Sequence, residues 1–177
     1  IPNGDNLTVT TVRDLVEARH GTLVKFSLNG SISNWTFGCP YQLFGPNNAL
    51  NTTSSSHYID IPSNLFSDLL TGSFTFQFAI KYINGTFIFK TISEPNAGLE
   101  CTVNVMGNLF VSDLEGDFVG SNIALPTGTW TMVSFIYDSS ISKAFIYFDD
   151  KLVSEGSFNL SQNSKTLKSI HFGGTSG

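Results

Sequence analysis

The sequence predicts an all-β protein: two antiparallel sheets packed face to face as a sandwich, with one short helix near the N-terminus. Three observations lead there. Phe74, Phe76, Phe78, Ile80 and Tyr82 alternate with Thr75, Gln77, Ala79 and Lys81, the period of a strand with one apolar face. Further short apolar runs follow at 22–28, 57–61, 87–89, 99–105, 108–113, 130–137, 143–148, 151–157 and 168–172, separated by Gly-, Asn- and Ser-bearing turns. The composition agrees, with 16 Phe and 39 Ser and Thr among 177 residues and only 13% charged residues. A chain of that length with many aromatics and few charges is a folded domain, not a disordered one.

The helix is expected at 12–19. Thr11 and Asp14 have the spacing of a capping box, with Asp in place of Glu. Val12, Leu15 and Val16 share a face, and Gly21 suits the left-handed residue that ends a helix. Residues 1–22 therefore read as an N-terminal extension, and 23–177 as the sandwich. Asn84-Gly85 is a hairpin-turn signal after the Phe strand, with 87–89 as the returning strand.

Charge and hydropathy exclude several partners. A net charge of −5 offers no basic stripe for nucleic acid. No apolar run is long enough to be a membrane-spanning helix. Cys39 and Cys101, 62 positions apart, exclude a paired-cysteine zinc site and a close-spaced redox motif. A Cys39–Cys101 disulfide is the expectation, which would contribute about 4 kcal/mol in the chain-entropy picture. The competing reading is two buried thiols behaving as small hydrophobes. Asn-X-Ser/Thr sequons stand at Asn6, Asn29, Asn34, Asn51, Asn84 and Asn159. With a disulfide and a first residue that is Ile, not Met, they point to a secreted or cell-surface glycoprotein.

Residues 130–174 carry a more specific pattern. Trp130 opens a strand ending at Tyr137-Asp138. A hairpin follows through Tyr147, Asp149 and Asp150 to Lys151, and a later strand ends at Ile170-His171-Phe172-Gly173-Gly174. Upstream, 23–30, Tyr58-Ile59-Asp60-Ile61-Pro62 and Gly72-Ser73-Phe74-Thr75-Phe76 fall in matching order. This resembles the laminin-G-like, concanavalin-A-like lectin jelly rolls. The resemblance implies a jelly-roll sandwich, a core role for Trp130 and a non-catalytic recognition or adhesion module. It departs at Asp150, which replaces the usual turn glycine and must then take positive φ. The family continues past its paired glycines into a closing strand, so the resemblance implies a fragment of a larger extracellular protein that lacks its last strand.

Candidate sites are few. The paired carboxylates that jelly-roll glycosidases carry on one strand face are absent, and Asp113-Leu114-Glu115-Gly116-Asp117 has that alternation only in reverse order. Asp113, Glu115 and Asp117 could surround calcium; the alternative is a solvated acidic turn. Glu94 and Asn96 form a weaker candidate, while Asp138 and Asp149 are expected to serve their turns. His20, His57 and His171 have neither metal nor triad spacing. Trp35 could stack on a sugar or anchor a partner from a Gly/Ser/Asn-rich loop, or tuck under that loop near Cys39. Tyr41 and Tyr58 carry the same ambiguity. The sequence ranks a protein partner at the cell surface first, a carbohydrate-binding lectin domain second and a glycosidase third.

Overall fold

The computed structural model describes residues 11–12, 21–24, 35–37, 48–50, 57–62, 72–94, 98–113, 115–160 and 166–173. Its strands are β1 (Thr11–Val12), β2 (Gly21–Val24), β3 (Trp35–Phe37), β4 (Asn48–Leu50), β5 (Tyr58–Pro62), β6 (Phe74–Lys81) and β7 (Phe87–Glu94). They continue as β8 (Glu100–Val103), β9 (Asn108–Ser112), β10 (Phe118–Ala124), β11 (Trp130–Asp138), β12 (Lys143–Phe148), β13 (Lys151–Ser157) and β14 (Thr166–Phe172). One sheet has eight strands in the order β1-β2-β5-β14-β7-β8-β9-β10, and the other has four, β13-β12-β11-β6. β3 and β4 pair separately. All pairings are antiparallel.

The two sheets meet through aromatic side chains. Phe89 on β7 is fully buried. Its ring stacks on Phe76 of the other sheet at 5.0 Å and meets Phe78 edge-on at 6.0 Å. Phe172 lies 5.6 Å away on Phe89's own sheet. A second cluster forms where Phe158 packs edge-on against Phe135 and Tyr137. At the far side Gly156 of β13 approaches Val119 of β10 closely, so that a Cβ there would lie 3.2 Å from a Val119 methyl. The four-stranded sheet thus covers the eight-stranded one from β7 to β10.

Several expectations are corrected. Thr11 and Val12 pair with Thr22 and Gly21 in a strand ladder, so Thr11 is no helix cap; residues 13–20 of the expected helix lie outside the described residues. Asn84-Gly85 does turn the chain, with Gly85 at φ 110°, but it is not a hairpin. β6 and β7 belong to different sheets, so the turn is an arch that carries the chain over the core. The Phe76–Phe89 stack explains why: both apolar faces bury against each other, which side-by-side pairing in one sheet would not allow. Trp130 is not core. Thr131, Val133, Phe135 and Tyr137 are the buried set on β11, and alternation puts Trp130 on the opposite face. Positive φ falls on Asp149 (56°) and not on Asp150. Asp149 donates its N–H to the Met132 carbonyl (2.7 Å) and accepts from Met132 N–H through Oδ1 (2.9 Å), which ties the turn to β11. Positive φ at the first of two turn residues suits a tight hairpin between twisted strands.

Replacing Phe89 with Ala removes the ring that bridges the sheets. The expected loss is about 3–5 kcal/mol, read from the urea midpoint. Phe118→Ala, at an exposed position, is expected to change it by no more than about 0.5 kcal/mol. Equal losses would refute this account of the core.

Candidate functional site

Because Ile61, Ile170, Phe89, Cys101, Val111 and Val119 point into the core, their chain neighbours line the outer face of the eight-stranded sheet. Register makes those neighbours a row. Asp60 of β5 lies opposite His171 of β14, His171 opposite Lys90 of β7, and Lys90 opposite Glu100 of β8. Glu100 is opposite Ser112 of β9, and Ser112 opposite Phe118 of β10. Six neighbouring strands at about 4.8 Å spacing give a row roughly 24 Å long.

At one end the Tyr58 ring stacks on His171, with centroids 4.3 Å apart and planes 25° from parallel. His171 Nε2 lies 3.2 Å from Asp60 Oδ1 and 3.2 Å from Ser169 Oγ. The Asp60 contact has ion-pair distance without hydrogen-bond alignment, and Asp60 Oδ1 and His171 Nδ1 are buried with no hydrogen-bond partner among the described residues. Burial holds the His171 pKa below its ordinary value, against the opposing pull of the Asp60 carboxylate. At the other end Phe110 and Phe118 sit 6.0 Å apart. The Phe110 ring occupies the space over Gly120, where a Cβ would lie 2.4 Å from a ring carbon. Phe118 is 62% exposed.

The outer face of the four-stranded sheet also carries aromatics, Trp130, Phe145 and Tyr147, all half-buried. Its polar groups pair with one another, Gln77 Nε2 donating to Ser134 Oγ at 3.0 Å and Lys143 Nζ lying 3.5 Å from Glu155 Oε1.

The acidic loop is organised around its own backbone. Asp113 is 3% exposed, and its Oδ1 accepts from the N–H groups of Glu115 (2.8 Å), Gly116 (2.8 Å) and Asp117 (2.9 Å). Asp117 Oδ2 accepts from Asn159 N–H at 2.8 Å. Among the described residues no three His, Cys, Asp or Glu side chains are gathered to hold a metal ion, so the calcium expectation for Asp113, Glu115 and Asp117 has no converged ligand set. Asp138 serves its turn as expected, accepting from Ser140 N–H (2.9 Å) and Ser140 Oγ (2.6 Å), which lowers its pKa.

Tyr58 is the one predicted ligand-binding residue that falls in the row. Trp35 has its backbone in β3, opposite Leu50, and Tyr41 lies outside the described residues. Cys101 is a free thiol buried in the core. Burial, with the Glu100 carboxylate adding to it, pushes that thiol far above the usual range. Cys39, the other end of the expected disulfide, lies outside the described residues, as do Asn96 and the sequons at Asn6, Asn29, Asn34 and Asn51. Asn84 and Asn159 are exposed. Sequence reasoning missed Asp60, Lys90, Glu100, Phe110, Phe118 and the role of His171. Their signal was the polar or off-phase position beside a core residue, legible only once register is known.

No protein-family profile matches the chain, and no curated protein matches it. Solved structures do. Domain 4 of AbnA, a GH43 extracellular arabinanase from Geobacillus stearothermophilus, solved with arabinotriose, is similar with a TM-score of 0.63 at 17% identity, over 88% of this chain and 73% of that one. The binding domain of botulinum neurotoxin DC, in complex with SialylT, is similar with a TM-score of 0.55 at 12% identity, over 89% of this chain. This chain spans 40% of that one's length. At such identities the likeness is one of fold: a two-sheet antiparallel β-sandwich.

Two measurements check this geometry. Asp113→Ala leaves three backbone donors without their carboxylate and is expected to cost about 2 kcal/mol, equally in calcium and in chelator. A loss seen only in calcium would restore the metal reading. For His171, the folded pKa lies below the unfolded 6.5. The unfolded chain then binds more protons between the two values. The ring's contribution is complete above 6.5 and declines as pH falls through the folded pKa. An NMR titration is expected to place the His171 midpoint below 6.5; a midpoint above it would mean that Asp60 outweighs burial.

Proposed function

We propose that this chain is a non-catalytic carbohydrate-binding domain of an extracellular protein, built on a laminin-G-like jelly roll. The carrying observation is the row on the eight-stranded sheet, where donors and acceptors run from Tyr58 and His171 to the half-buried Phe110 and the exposed Phe118. Sugars present polar edges and apolar faces, and a sheet surface with hydrogen-bonding groups beside rings suits both. Two structures of similar fold are complexes, one with arabinotriose and one with SialylT, which supports the glycan reading over the protein partner ranked first from sequence. The motifs at 58–62, 72–76 and 130–174 support the laminin-G form. Exposed sequon residues at Asn84 and Asn159 support a secretory route.

A binding role without chemistry is supported by the carboxylate spacing. Asp60 and Glu100 are three strand steps apart, about 14 Å, beyond the roughly 5–10 Å of a glycosidase pair. The reading needs no cofactor.

The second reading, a protein partner, has one observation in its favour. Loops 82–86, 104–107 and 125–128 are stitched together by backbone hydrogen bonds, Val103 N–H to Thr86, Leu125 N–H to Gly107 and Gly128 N–H to Tyr82. At this end Val105 is 97%, Met106 78% and Ile83 59% exposed. Such a tip suits an apolar contact.

An oligosaccharide array followed by calorimetry tests the main reading. Phe118→Ala and Lys90→Ala are each expected to weaken sugar binding about tenfold, or ~1.4 kcal/mol, with the melting temperature unchanged. Gly120→Ala, which displaces Phe110, is expected to weaken it as well. Binding that is lost with Tyr147→Ala instead would move the site to the other sheet.

A further inference from the structure

The chemistry of the row bears on which glycans it takes, a step that rests on the carbohydrate reading. Along the row the groups are carboxylate (Asp60), imidazole (His171), ammonium (Lys90), carboxylate (Glu100) and hydroxyl (Ser112). Each acceptor stands next to a group able to donate. A sugar hydroxyl both donates and accepts, so such alternation satisfies it in either sense. An anionic sugar needs something different: donors and positive charge converging on one point. Here the one ammonium of the row lies opposite Glu100 and one strand from His171, and the carboxylates of the row outnumber it two to one. The loop joining β9 to β10 adds exposed Glu115 and Asp117 at the aromatic end, and the whole chain carries −5.

Length points the same way as charge. The aromatic groups stand at the two ends of a row of roughly 24 Å, Tyr58 on His171 at one and Phe110 with Phe118 at the other. One sugar ring cannot touch both.

We infer that this face selects uncharged oligosaccharides of several units over anionic ones, lying across the strands from the Tyr58–His171 stack to the Phe110–Phe118 pair.

The test uses the unmodified chain and titration calorimetry at low salt. The neutral probes are arabinan-, xylan- and cellulose-derived sugars, from monosaccharide to hexasaccharide. The anionic probes are sialyllactose and oligogalacturonates of matched length. Expected is neutral binding in at least one series, strengthening with length, and anionic binding weaker by about tenfold or more. Expected too is that Phe118→Ala and Tyr58→Ala each reduce the gain with length, since each removes one end. Anionic sugars binding as tightly as neutral ones would overturn the inference and leave the carbohydrate reading standing. Full affinity for a monosaccharide would overturn the length requirement. No binding by any probe would overturn the carbohydrate reading and the inference with it.

Discussion

The contact between Phe89 and Phe76 is the constraint on which the rest depends. It joins two sheets that share no backbone hydrogen bonds in this region, and it does so with fully or nearly fully buried rings. A buried aromatic contributes a few kcal/mol of transfer free energy. Stacked pairs add about 0.5–1.5 kcal/mol beyond area. Once those two rings face each other, the parity of β6 and β7 is set, and a one-residue slip would turn every apolar residue of a strand outward. The arch at Asn84-Gly85 is the geometric consequence, because the chain must cross the sandwich to bring Phe89 over Phe76.

The same parity generates the candidate site. In regular strand, away from bulges, a residue beside a core position faces the other way. Phe89 inward puts Lys90 outward; Cys101 inward puts Glu100 outward; Val111 and Val119 inward put Ser112 and Phe118 outward. Register then aligns these residues from strand to strand. The row needs no local motif, only the core and the ladders that hold it. A bulge at Ile88 contributes to the alignment. Ile88 and Phe89 are both buried, and the ladder between β7 and β8 shifts between Phe87 and Phe89, which places Lys90 opposite Glu100.

This explains what was legible in the sequence. The Phe74–Tyr82 alternation located β6 because period and composition agree over nine residues. The strands at 143–148 and 151–157 were found with their limits intact, since their turn is short and polar. Trp130 was misplaced because its strand is apolar on both faces: Met132 and Ile136 alternate with Val133, Phe135 and Tyr137, so period alone cannot choose the buried set. β10 was overlooked because Phe118-Val119-Gly120-Ser121-Asn122-Ile123-Ala124 looks like a loop. Its Gly and Ser have tertiary reasons. Gly120 makes room for Phe110, and the Ser121 hydroxyl accepts from Leu109 N–H and donates to the Ile123 carbonyl across an irregular stretch of ladder. The acidic loop was visible as a cluster of charge, but not the inward turn of Asp113 that closes it.

The core and the candidate site thus occupy opposite faces of the same strands, and they are nearly separable. Side chains such as Phe118 and Lys90 can change with little effect on the core, which lets a β-sandwich vary its ligands while keeping its fold. Gly120 and His171 are the exceptions. The missing side chain of Gly120 seats a ring of the outer face, so its substitution acts on the site through packing. His171 contacts both Tyr58 and Asp60, and its buried Nδ1 has no hydrogen-bond partner among the described residues, an arrangement unfavourable for folding alone.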